Sequence, residues 1–348
     1  MARLDQICGL NMGQSPVSSS YNENGEGMPF FQGNADFGKV HPRVRVWCSA
    51  PTKVAHAGDV LISVRAPIGA LNIADRECCI GRGLAALTVN EELCNKDYLW
   101  YAIASKVDEL NSKGTGSTFK AISKSVLAET EIPLPAMAEQ QIVAGRLAKV
   151  DELIALRKEQ HAKLDQLVKS RFIKLFDGKG YPTLKWNEVF NTTTGKLDSN
   201  AMVENGEYPF FTCAKEVLRI DKYAFDQEAL LLAGNNAAGK YDVKYYKGKF
   251  NAYQRTYVLE LKEEWSYQLF KYQLEDKLVY LQQQSLGGLT KYLTLKILGE
   301  LEFIVPPIDK QNEFTVFVKQ TDKSKLAIQQ SLDKLELLKK SLMQQYFG

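Results

Sequence analysis

The chain has 348 residues, with 44 Lys and Arg against 41 Asp and Glu, and a formal charge of +3. That length is enough for more than one core, and 45% hydrophobic with 24% charged residues is ordinary for a globular protein, so neither a disordered nor a membrane class fits. No apolar run reaches the roughly 18 residues of a membrane span, the start Met1-Ala2-Arg3-Leu4-Asp5-Gln6 lacks the apolar stretch of a secretory signal, and six cysteines without a Cys-x-x-Cys spacing, beside three histidines, point to reduced thiols in a cytoplasm rather than to disulfides or a metal centre.

In chain order, residues 1–136 read as a mixed globule. Gly, Ser and Asn clusters at 11–27 and 111–118 mark loops, while Val44-Arg45-Val46-Trp47 and Val60-Leu61-Ile62-Ser63-Val64 read as strands. Asp97–Asn111 reads as one helix with Tyr98, Leu99, Tyr101, Ala102, Val107 and Leu110 on its apolar face. Ile132-Pro133-Leu134-Pro135 forbids helix and forms a hinge. Residues 137–178 then form a long helix. Val143, Leu147, Val150, Ile154, Leu164, Val168 and Leu175 step by fours and threes, the narrow stripe of a coiled-coil seam. A helix of this length extends roughly 60 Å and cannot cover its own stripe.

Residues 179–308 repeat the pattern. Trp186, Val189 and Gly195 match Leu4, Ile7 and Gly13; Tyr208-Pro209-Phe210-Phe211 matches Met28-Pro29-Phe30-Phe31. Ser266–Gln284 reads as a helix, and Gly288-Leu289-Thr290-Lys291-Tyr292 aligns with Gly116-Ser117-Thr118-Phe119-Lys120. Ile304-Val305-Pro306-Pro307 repeats the hinge. Residues 309–348 form the second long helix, with Phe314, Val318, Thr321, Ile328, Leu332, Leu335, Leu342 and Tyr346 on its stripe. The expected fold class is α+β: two tandem globules, each followed by a long helix, the two helices pairing as an antiparallel coiled coil with pseudo-two-fold symmetry. That arrangement brings the C-terminus back to Met1.

Charge is nearly balanced within each globule, yet local patches are basic. Lys39, Arg43, Arg45 and Lys53 have no acid among them, and Lys240, Lys244, Lys247, Lys249 and Arg255 face one Asp amid aromatics. Such patches can neutralise phosphates while aromatics or amides approach bases, or form solvated faces of hairpins. Catalytic signatures are missing. The only Pro-Pro, Pro306-Pro307, is in a hinge, so no Asn/Asp-Pro-Pro-aromatic loop exists to hold an extruded base. Gly234-Asn235-Asn236-Ala237-Ala238-Gly239-Lys240 satisfies G-x-x-x-x-G-K, but Tyr241 stands where a magnesium-binding hydroxyl belongs and a strand follows instead of a helix. A turn between strands is the better reading. His161, with Arg157, interrupts the first stripe and reads as a register-fixing insertion.

The sequences GQSP, GDVLISVRAPIG, GSTFKAIS, IPLP and the AEQQ that opens the long helix, in duplicated order, resemble the specificity (S) subunit of type I restriction-modification enzymes. The resemblance runs through both halves and is stronger in the first. It implies that the globules are target-recognition domains for the two parts of a split double-stranded DNA site, with the helices as the ruler between them. It also implies two methyltransferase (M) subunits as partners, with restriction (R) subunits in the full complex, and no catalytic residue, metal or cofactor in this chain. Leu153, Leu167 and Phe172 flank the stripe and are expected to meet the methyltransferase subunits.

On that reading Gln14 and Ser15 lie in a Gly-bounded loop suited to base contact, and Arg65, Arg82 and Arg255 suit guanine or phosphate. Ser117, Thr118 and Lys120, with Thr290, Lys291 and Tyr292 in the second half, are assigned to the DNA backbone because they recur in both globules. Asn235, Asn236 and Gln254 are expected to read bases in the second half, beside Lys240. Two other classes stay open: a coiled-coil scaffold that never touches nucleic acid, and a P-loop nucleotide-binding protein.

Overall fold

Strand Val60–Ser63 is buried along its whole length, which explains why its sequence is continuously apolar instead of alternating. Val60 and Ile62 face one cluster with Leu4, Ile7, Leu87, Tyr98 and Leu99. Leu61 faces a second with Phe31, Ile80 and Leu84. The computed structural model describes residues 1–116, 120–237 and 239–348 of the chain, so the expected contacts Ser117 and Thr118 lie outside the described residues. The fold is α+β. Contacts divide it into two units, Met1–Glu159 with Gln330–Gly348, and Gln160–Gln329.

In the first unit, Val60–Ser63 belongs to an antiparallel sheet in the order Cys8–Met12, Leu84–Val89, Val60–Ser63, Leu71–Ile73. A five-stranded sheet, in which Met28–Phe31 runs parallel to Cys78–Ile80, covers its second face. In the second unit one six-stranded sheet includes the equivalents: Phe190–Thr194, Thr256–Leu261, Phe225–Ala233, Val243–Ala252, Tyr208–Phe211 and Leu218–Ile220. Here too the central strand is buried on both faces. Leu230 and Leu232 pack with Trp186, Leu259 and Phe270, whereas Leu231 packs with Phe211, Phe250 and Val258.

Each globule is closed by a short antiparallel pair just before its long helix: Ala2–Arg3 with Glu131–Ile132, and Thr183–Lys185 with Glu302–Ile304. The helices Met137–Phe176 and Ile308–Phe347 have 40 residues each. A buried glutamine pins the start of each. Gln140 Nε2 donates to Leu93 O and Pro135 O while its Oε1 accepts from Asn95 N. Gln311 Nε2 donates to Pro306 O and its Oε1 accepts from Ser266 N.

Within the first unit the two helix segments run antiparallel: Arg146 meets Tyr346 at 2.9 Å, Lys339 meets Asp151 at 2.6 Å, and Arg157 Nε donates to Ser331 Oγ at 3.1 Å. The final turn docks on the globule, with Phe347 5.3 Å from the Tyr98 ring and in the same cluster as Leu4 and Ala2. Within the second unit the segments are again antiparallel, through Lys325–Asp165 at 2.5 Å and Arg171–Glu313 at 2.7 Å.

Three expectations change. The helix expected over Asp97–Asn111 is two, Lys96–Ser105 and Val107–Lys113, broken at Lys106. Ser266–Gln284 likewise divides into Tyr267–Asp276 and Leu278–Gln284 at Lys277. Apolar spacing continues across both breaks, which is why the pattern does not reveal them. Phe172 is not a free flank of the helix: it packs on Tyr272 at 4.7 Å and on Phe314 at 5.7 Å. His161 lies 3.5 Å from Asp165 of its own helix and is partly exposed.

Candidate nucleic-acid interface

A matching set of backbone hydrogen bonds builds one rim on each globule. In the first, Gly81 N donates to Phe31 O, Leu84 N to Gly81 O, Val64 N to Gly83 O, and Ile122 N to Val64 O. In the second, Tyr253 N donates to Phe211 O, Thr256 N to Tyr253 O, Gly234 N to Arg255 O, and Leu293 N to Gly234 O. Taken bond by bond, Val64 corresponds to Gly234, so Arg65 corresponds to Asn235. Arg82 corresponds to Gln254, Gly83 to Arg255, and Ile122 to Leu293.

The first loop of each globule joins its rim through a glycine that allows close approach. A Cβ at Gly13 would sit 2.2 Å from Gly81 O, and one at Gly195 would sit 1.7 Å from Ala252 O. Both contacts are with backbone, which cannot swing aside. Gln14 N then donates to Ile80 O, and Ser15 Oγ accepts from Arg82 N at 3.3 Å. Thr52 Oγ1 caps Gln14 O at 2.6 Å. In the second globule Gln254 N donates to Leu197 O, and Gln254 Nε2 to Asp198 Oδ2 at 3.3 Å.

The third side of each rim is the segment after the short helices. Ala66 N donates to Lys120 O, and Ala121 bridges both Arg65 and Thr115. Asn235 and Asn236 pair with Tyr292 and Lys291, and Tyr292 bridges Leu286. This register corrects the sequence alignment by one residue: Lys120 matches Lys291, not Tyr292, and Tyr292 matches Ala121. The lysine is therefore the shared feature, and the tyrosine belongs to the second globule alone.

Gln14, Arg65, Arg82 and Lys120 are exposed on the first rim, and Lys240, Gln254, Arg255, Thr290 and Tyr292 on the second, with Asn235, Asn236 and Lys291 half-buried. The basic patches divide differently: Arg45 pairs with Asp36, Lys244 with Asp242 and Lys247 with Glu228, so these cations are compensated within the protein. Thr52 and Asp198 were not anticipated; each reaches the rim through a hydrogen bond distant in sequence. Among the described residues, no carboxylate lies within ion-pair distance of Arg65, Arg82 or Arg255, whereas Arg3, Arg45, Arg76 and Arg171 are paired with Asp5, Asp36, Asp75 and Glu313. Arg219 is spent on Gly206 O and Glu207 O. Arg255 acts on Tyr257, opposing the upward shift that burial gives that phenol. Uncompensated guanidinium groups grouped with amides and hydroxyls are the donor types that phosphates and base edges accept from.

The G-x-x-x-x-G-K segment is part of this rim. Asn235 and Asn236 are strand residues, Lys240 N donates to Asn236 Oδ1, and Tyr241 is buried ahead of strand Val243–Ala252. No helix opens after the lysine to point its N-terminus at a phosphate chain, so the segment is not built as a P-loop.

The family model described as Type I restriction modification DNA specificity domain matches residues 1–166 and again 179–338. The putative type I restriction enzyme MjaX specificity subunit of Methanocaldococcus jannaschii is 42% identical over 168 residues, 48% of this chain and 40% of that protein. The type I restriction enzyme EcoDI specificity subunit of Escherichia coli is 50% identical over 94 residues, 26% of this chain and 20% of that protein. The matched parts thus span less than half the length of these curated relatives. The crystal structure of a type I restriction-modification system S subunit from M. genitalium matches with a TM-score of 0.68 over 100% of this chain and 95% of that one, at 17% identity, a likeness of fold. With the same domain model matched twice and covering most of its length, the chain belongs to the type I restriction-modification DNA specificity family.

Proposed function

We propose that this chain is a non-catalytic subunit that gives DNA sequence specificity to a type I restriction-modification complex. Each globule reads one half of a bipartite double-stranded site and directs methyltransferase subunits, with restriction subunits in the full complex, to it. The observation that carries this reading is the duplicated rim: one hydrogen-bond framework, Arg65 and Arg82 on one copy, Asn235 and Gln254 on the other. A common scaffold with different donors at corresponding points suits two readers of two sequences, because arginine pairs bidentately with guanine and amides with adenine. The lysine common to both, Lys120 and Lys291, suits a phosphate, which is the same in every sequence. Gln14, Ser15, Asn236, Lys240, Arg255, Thr290 and Tyr292 complete the proposed contact set. Two methyltransferase subunits and a cytoplasmic setting are part of the same proposal.

The test is methylation mapping. The chain is co-expressed with its methyltransferase subunit in a host free of background methylation, and modified adenines are located by sequencing. The expected result is a split motif of which one half changes when residues 1–136 are replaced by those of another family member. A stable complex without modification would favour the scaffold reading instead.

A further inference from the structure

The short helix of each globule after the break carries very different surfaces on one framework. Lys106 and Lys277 occupy the two breaks, Leu110 and Leu281 are both fully buried, and Ser123 and Thr294 cap the next helix with their side chains. Between these landmarks the spacing is the same, so Asp108, Glu109, Lys113 and Lys124 correspond to Val279, Tyr280, Gln284 and Leu295. The fold accepts charge at these points, and the apolar residues of the second globule are not there to complete a core. Val279 is 66% exposed, Leu295 58% and Leu289 95%, with Leu286 and Tyr292 also exposed. Isolated surface leucines are ordinary; Leu289, the most exposed large hydrophobic residue among those described, sits in one turn with the exposed Leu286 and Tyr292, and such a group marks a contact.

The position of Leu289 selects the occupant. It projects from a tight turn closed by Leu286 and Tyr292, whose backbone groups exchange hydrogen bonds at 2.9 and 3.0 Å. Gly287 turns the chain at φ +97°, where a side chain would be strained. The next two residues but one, Lys291 and Tyr292, pair with Asn236 and Asn235 on the rim. Residues 278–299 contain Lys291 and Lys296 and neither Asp nor Glu. An apolar tip in a stretch whose charged side chains, Lys291 and Lys296, are both positive complements a partner that is anionic outside and apolar inside, which describes the groove of duplex DNA.

Resting on the proposed function, we infer that Leu289 is a DNA-contacting residue of the second globule, packing on base surfaces in the groove while Lys291 holds the adjacent phosphate. Apolar side chains contact thymine methyl groups or wedge against base steps in this manner. The test uses the full chain in complex with its methyltransferase subunits and a duplex carrying the mapped target. Affinity is measured over a range of salt for the wild type, Leu289→Ala and Leu289→Met. Leu289→Ala is expected to weaken binding on the order of tenfold without changing the slope of affinity against salt, which reports phosphate contacts. Leu289→Met is expected to retain most of it, and all three complexes are expected to assemble alike. Unchanged DNA affinity in Leu289→Ala overturns the inference. Loss of the methyltransferase subunits from that variant also overturns it and assigns the patch to a protein partner. A wild-type complex that does not bind its target overturns the specificity reading itself.

Discussion

Arg82 and Gln254 stand at corresponding points of two hydrogen-bond frameworks, and their difference is where sequence preference should enter. Arg82→Gln in the assembled complex is expected to cost about 1–3 kcal/mol on the native first half-site, with discrimination relaxed at one base position. Competition binding against duplexes varied in one half at a time checks this. Lys120→Ala should instead weaken binding to all sequences and reduce the salt slope by about one. The cysteines give a separate residue-level expectation. Burial pushes the Cys8 and Cys78 thiols up to about 12 and Cys94 up to about 11, so these carry almost no thiolate at neutral pH. Cys213 is the one that is not buried. Mild alkylation followed by peptide mass analysis is expected to label Cys213 first and the others only after unfolding.

At the scale of elements, the long helices are held by their ends as much as by their seams. Gln140 and Gln311 satisfy backbone groups of the hinge that proline geometry leaves without helical partners. At the other end Phe347 inserts beside Tyr98, in a cluster that also contains Leu4, Val143 and Leu147. Phe347→Ala should therefore cost about 3–5 kcal/mol, the usual range for a buried phenylalanine. With two units in the chain, the loss is expected as a lowered first transition in thermal unfolding, not as a uniform shift. Residues that flank a helical stripe behave differently according to their neighbours. Leu167 stays 49% exposed, while Phe172 is taken up by the aromatic cluster around Phe314.

For the whole molecule, the repeat is the organising fact. Two units of one architecture leave each rim free to vary because the strands behind it are buried on both faces and carry the stability. The long helices and the two hinges were legible in the sequence, since a stripe in threes and fours and paired prolines are local signals that no distant contact can erase. So was the duplication, and with it the family. What the sequence left open concerns pairing between distant segments. Gln14 meets Ile80, and Ser15 meets Arg82, only because Cys8–Met12 lies beside Leu84–Val89. Arg65 is set beside the Lys120 segment by its bridge to Ala121 and by the hydrogen bond from Ala66 N to Lys120 O. The one-residue slip that had set Lys120 against Tyr292 arose in a Gly- and Thr-rich loop whose side chains carry little pattern; the hydrogen bonds of Leu286 and Tyr292 fix it. Periodicity and composition thus determined which elements exist and that they occur twice, because those depend on near neighbours along the chain. Which side chains share a rim, and which apolar residue remains outside every core, was decided by tertiary structure, because strand register and burial are properties of segments brought together from far apart.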